Sequence, residues 1–242
     1  MNHESTSAAL PAVPGYSEEG LKGVSADWSA DKQAFPVPWG KAMMWIFLLS
    51  DTFIFSCFLV SYMNVRISTT EIWPNPSIVF GLHVFGRDIP LFLIALMTMI
   101  LITSSGTMAM AVNFGYRRDR GKTAALMFAT ALLGVSFVSM QAFEWTKLIV
   151  SEGVRPWGNP MGAPQFGSSF FMITGFHGTH VTIGVIFLLI IARKVLRGDF
   201  DHERRGYFTS RRGNYEIVEV MGLYWHFVDL VWVFIFALFY LW

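Results

Sequence analysis

Five long apolar stretches constrain this chain more than any other feature: about residues 41–64, 89–113, 122–146, 168–192 and 217–241. Lipid offers no water to the backbone, so a spanning segment must satisfy its own N–H and C=O groups. A helix does this with roughly 20 apolar residues across about 30 Å of hydrocarbon. Charged residues make up only 14% of the chain, against roughly 25% in an average soluble domain. The expectation is therefore an all-α integral membrane protein. Residues 41–242 would form a bundle of five transmembrane helices, and residues 1–40, rich in Ser, Ala, Pro and Gly, a largely extended tail.

An odd number of spans puts the two ends of the bundle on opposite sides of the membrane, and the distribution of Lys and Arg orients it. The tail, the second loop and the fourth loop together carry Lys22, Lys32, Lys41, Arg117, Arg118, Arg120, Lys122, Arg193, Lys194, Arg197, Arg204, Arg205, Arg211 and Arg212. The other side carries Arg66, Arg87, Lys147 and Arg155. Fourteen against four predicts a cytoplasmic N-terminus and a periplasmic C-terminus. No cleavable signal peptide is expected, because the first 40 residues lack a basic start followed by an apolar run. The outward loops bend at WPNP (73–76) and RPWGNPMGAP (155–164), where Pro, Gly and Asn concentrate.

Composition excludes several functions. A formal net charge of +1 provides no field for a nucleic-acid backbone. The single cysteine, Cys57, excludes an intrachain disulfide and any Cys-based metal site within this chain alone.

Ionisable groups inside a span are costly and mark functional candidates. They are Asp51 in the first span, Glu144 beside Trp145 in the third, His177 and His180 in the fourth, and Glu219, His226 and Asp229 in the fifth beside Trp225. At 1.5 Å per residue, Asp51, His180 and His226 fall near the membrane midplane, where carboxylate and imidazoles on neighbouring helices would satisfy one another. His177 and His180 share a helical face, and with His226 they offer a haem or copper site as one reading and buried, hydrogen-bonded histidines as the other. Glu219, His226 and Asp229 form an inward stripe, read either as a proton relay or as fixed contacts. Gly167, Gly175, Gly178 and Gly184, with Ser104, Ser105, Gly106 and Thr107, allow close helix approach.

Longer strings bring a family into view. SFFMITGFHGTHVTIG (169–184) and VEVMGLYWHFVDLVW (218–232) resemble the last two helices of subunit III of haem–copper terminal oxidases. QAFEW (141–145), LITSSGTMAMA (101–111) and WIFLLSDTFIFSCFLVSY (45–62) follow the same family order. The resemblance spans about residues 41–242 and is to the five-helix bacterial variant, which lacks the first two helices of the seven-helix form. It implies a cofactor-free accessory subunit beside a catalytic subunit that carries haems and copper. Asp51 stands where the family usually has Glu, so its carboxyl reaches about one methylene less far. The resemblance gives Asp51, Glu144, Trp145, His177, His180, His226 and Asp229 packing and lipid-holding roles, with no metal ligand among them; Glu219 and Trp225 join them as lipid-binding or buried polar candidates from the fifth-span stripe, and no catalytic residue is expected.

The expected function is thus an accessory subunit of a proton-pumping oxidase in a bacterial inner membrane. It would stabilise the catalytic subunit I alongside subunit II, hold structural phospholipid and support proton uptake. For the last role, Asp199, Asp201, His202, Glu203 and Glu216 lie among the cytoplasmic basic residues and offer titratable groups. Cytochrome c is the expected electron donor; a quinol oxidase or the accessory chain of a nitric oxide reductase are the alternatives. A larger respiratory supercomplex is a further expected partner. Two readings from other classes are a free-standing proton channel and a haem-binding membrane cytochrome.

Overall fold

The computed structural model describes residues 39–84, 87–89, 91–200 and 215–242. The expected tail, up to Pro38, lies outside them, as do Asp201, His202 and Glu203. Five long helices dominate: α1 Trp39–Ser68, α2 Phe92–Tyr116, α3 Arg120–Val150, α4 Pro164–Arg197 and α5 Glu216–Phe236, the last tightening into a π turn over Ala237–Leu241. Each is long and apolar enough to cross a membrane. Most overrun the stretches expected from apolar composition, because hydrogen bonding carries a helix past the hydrocarbon boundary; α4, at 34 residues, is about 51 Å long.

The helix ends follow local chemistry. Asp119 caps α3, its carboxylate accepting from the Lys122 backbone N–H at 3.2 Å, and holds its pKa below the usual carboxylate value because that bond and the Lys122 side chain favour the charged form. Pro164 opens α4, where its missing N–H costs nothing, and Gly198 closes it in the left-handed conformation. Between α1 and α2 lies a helical turn, Pro76–Val79, and then an antiparallel hairpin pairing Leu82–Val84 with Arg87–Ile89. The apolar pattern gave no sign of this hairpin: it placed the second span from residue 89, whereas α2 begins at Phe92.

Helices α2, α3, α4 and α5 pack as a ring, each against two neighbours, and α1 lies outside the ring against α4 and α5. Trp225, Trp232 and Phe137, all buried, fill the centre, with Trp232 edge-on to Phe137 at 4.7 Å between ring centroids. The connection before α4 is tied to the one after α1: the Ala163 N–H donates to the Ile72 carbonyl. Gly162 makes that approach possible, since its φ of 148° and the Ile72 oxygen 2.2 Å from a would-be Cβ admit no side chain.

Candidate functional site: the buried polar groups of the bundle

Three polar clusters are built where the helices meet. In the first, α1 presents Asp51, 3% exposed, to α4, where His180 Nε2 stands 3.5 Å from Asp51 Oδ1. The Phe176 carbonyl, 2.8 Å from His180 Nδ1, can only accept, so Nδ1 carries a hydrogen. Tyr224 donates to the His180 carbonyl from α5 at 2.9 Å. His177 lies one turn away, fully buried and stacked on Trp232 at 5.3 Å. Neither of its ring nitrogens has a hydrogen-bond partner among the described residues. Phe55 of α1 meets both imidazoles edge-on.

The second cluster joins α2 to α5. Ser105 hydrogen-bonds His226 Nδ1, Trp225 Nε1 donates to Ser104 Oγ at 2.9 Å, and Trp232 Nε1 donates to Thr98 Oγ1 at 3.1 Å. Asp229 is buried beside them. The midplane trio expected from depth thus divides: Asp51 and His180 meet, whereas His226 turns to Ser105. The fifth-span stripe divides likewise, because Glu219 pairs with Lys41 of α1 and accepts from Tyr116.

The third cluster sits toward the C-terminal end of α3. Glu144, 3% exposed, accepts from Gln141 Nε2 at 2.7 Å and from the Tyr240 hydroxyl at 3.3 Å. Lys147, one turn on, donates to the Gly81 carbonyl. Trp145 turns the other way, edge-on to Phe171 at 5.3 Å, its ring passing over Gly175.

Lys41, Gln141 and Tyr240 were not singled out from the sequence as partners of these groups. Gln141 was accessible in principle, being i,i+3 to Glu144; Lys41 and Tyr240 come from elements 178 and 96 residues away in the chain. Among the described residues, no three His, Cys, Asp or Glu side chains group so as to hold a metal ion.

Fold and clusters define a class: a polytopic, all-helical membrane protein that commits most of its intramembrane polar groups to contacts among its own helices. Comparison with known proteins narrows it. Residues 33–242 match the model of the family described as cytochrome c oxidase subunit III. A probable cytochrome c oxidase subunit 3 of Rickettsia prowazekii (strain Madrid E) is 29% identical over 215 residues, covering 83% of this chain and 68% of that protein. The cytochrome c oxidase subunit 3 of Aedes aegypti is 32% identical, covering 84% of this chain and 68% of its own. That of Rhipicephalus sanguineus is 33% identical, with coverage of 84% and 70%. The chain belongs to the cytochrome c oxidase subunit III family, and so is a subunit III of a haem–copper oxidase.

Proposed function

We propose that this chain is an accessory, cofactor-free subunit of a proton-pumping terminal oxidase that reduces O₂ to water with electrons from cytochrome c. Its partners are the catalytic subunit I, which holds haems and copper, and subunit II. It stabilises the catalytic subunit, holds structural phospholipid and helps supply protons on the cytoplasmic side. In this reading it sits in a bacterial inner membrane with its N-terminus in the cytoplasm and Trp242 outside.

The observation that carries the reading is the fate of the intramembrane ionisable groups. Glu144 is answered by Gln141 and Tyr240, Glu219 by Lys41, His226 by Ser105 and Asp51 by His180. These contacts hold Asp51, Glu144, Glu219 and His226 inside the bundle, and all but the Gln141 bond join different helices. The outer face of α1, with Trp45, Leu49 and Phe53 exposed, is left for lipid or a neighbouring subunit.

The test is affinity purification through this chain in mild detergent, followed by reduced-minus-oxidised spectra and oxygen uptake with reduced cytochrome c or quinol. Haem and oxygen uptake arriving only with co-purifying larger subunits support the proposal, with cytochrome c the faster donor. Haem bound to the chain alone, or ion flux through it alone, would sink it.

A further inference from the structure

Glu219 and His226 stand two turns apart on one stripe of α5, and both reach toward α2. Glu219 is answered there by Tyr116 and from α1 by Lys41. His226 is answered on one side of its ring alone. Nδ1 bonds Ser105, whereas Nε2 has no hydrogen-bond partner among the described residues. The ring is only partly buried. Unlike the nitrogens of His177, which are enclosed, Nε2 lies open at the surface of the bundle. Whether it carries a hydrogen or a lone pair, it needs a partner from outside.

The level at which it opens is the middle of the membrane. His226 lies about 4 Å from the centre of the 26-residue span Glu216–Leu241. Ser105 follows Ser104, the central residue of α2. Headgroups and ester groups are about 15 Å away at that level, half the hydrocarbon thickness, and lipid tails form no hydrogen bonds. The exposed side chains nearby, Ile102, Leu230 and Val233, are apolar and provide no water-filled path. An ionisable group inside a span faces protein when it has no such path.

The surface beside the imidazole is shaped for a backbone. Ile102, Gly106, Ala109 and Asn113 follow one another at i, i+4, i+7 and i+11 and are all exposed, forming one stripe of α2. A Cβ on Gly106 would meet nothing within 4 Å, so no packing inside the protein requires glycine there. Small residues on a membrane-facing stripe let a second helix come close. Family membership implies an oxidase complex, so other chains are at hand.

We infer that the α2–α5 face around His226 docks a transmembrane helix of another subunit. The helix approaches over Gly106 and Ala109 and sets a Ser, Thr, Asn or Gln side chain against His226 Nε2. A hydroxyl or an amide serves either tautomer, because it can donate or accept. The inference rests on the oxidase reading only for the identity of that subunit.

The test places the photocrosslinking residue benzoylphenylalanine at Ile102 or Ala109 of the tagged chain in native membranes, then identifies the adduct by mass spectrometry. The expected adduct is a membrane-spanning segment of one other subunit, with a polar residue near its middle. An adduct with lipid alone, or between two copies of this chain, would overturn the inference. Two substitutions measure the contacts by how much of that subunit co-purifies. Gly106→Phe puts a ring where the helix docks and should lower recovery at least about five-fold, the low end of the cost of overpacking. His226→Asn keeps a polar group near the place of Nδ1 for Ser105 but lacks Nε2. It should lower recovery about three-fold, the worth of one hydrogen bond between membrane helices, with the unfolding midpoint of the chain itself unchanged. Full recovery in both folded variants would also overturn the inference. Haem in the same sample reports separately on the oxidase reading: an adduct without haem keeps the docking face and sinks that reading, and haem without an adduct does the reverse.

Discussion

Gly134 shows how much a single methyl group decides in this bundle. A Cβ at that position would come 2.6 Å from the Trp225 ring and 2.7 Å from Val185, so both α5 and α4 would have to move. Trp225 cannot yield freely, because its Nε1 is tied to Ser104 Oγ. Gly134→Ala is expected to destabilise the protein by about 1–3 kcal/mol, the usual range for overpacking. Gly106→Ala, where a Cβ meets nothing within 4 Å, should be neutral or slightly stabilising. Thermal midpoints of the two variants in the same detergent test the contrast; equal midpoints would refute it. Gly134 did not stand out in the sequence, since its role depends on Trp225, 91 positions further along the chain.

At the scale of elements, α1 is attached by contacts of unequal worth. At one end Lys41 pairs with Glu219, both partly exposed; at the other the Tyr62 ring, 1% exposed, stacks on Phe239 at 3.9 Å and meets Trp73 edge-on at 5.8 Å. A partly solvated ion pair contributes up to about 1 kcal/mol, whereas truncating a buried aromatic costs about 3–5 kcal/mol. Lys41→Met should therefore change the unfolding midpoint little and Tyr62→Ala lower it sharply, which thermal unfolding of the two variants measures directly. Helix α3 makes a prediction of its own in pH. The depressed pKa of Asp119 means that its cap stabilises fully above its ordinary value of 3.8, and that the contribution is lost as pH falls from there through the lower folded value. Asp119→Asn keeps a capping oxygen without the titration, so its stability should flatten on the acid side; a midpoint–pH curve identical to that of the unmodified protein would show the cap to be irrelevant.

For the whole molecule, the testable quantity is orientation. Fourteen basic residues on one side against four on the other predict that Trp242 lies outside the cytoplasm. Alkaline phosphatase fused after Trp242 should be active and green fluorescent protein fused there dark; the reverse pattern would invert the assignment.

The sequence by itself was sufficient for the number and type of spans, since a helix that crosses lipid must be long, apolar and internally hydrogen-bonded whatever surrounds it. Family membership was equally legible, carried by contiguous strings such as GFHGTHV (175–181) and YWHFVD (224–229). Pairing was not legible. Depth along each helix put Asp51, His180 and His226 at one level, but depth carries no information about rotation or neighbour, and only packing sent His226 to Ser105 and Asp51 to His180. The same holds for Glu144, whose partner Tyr240 lies in the π turn at the far end of the chain, and for the hairpin at 82–89, whose pairing is set across strands rather than along them. Local hydrogen bonding and hydrophobic length are properties of a segment; which faces meet depends on shape complementarity among all five helices at once.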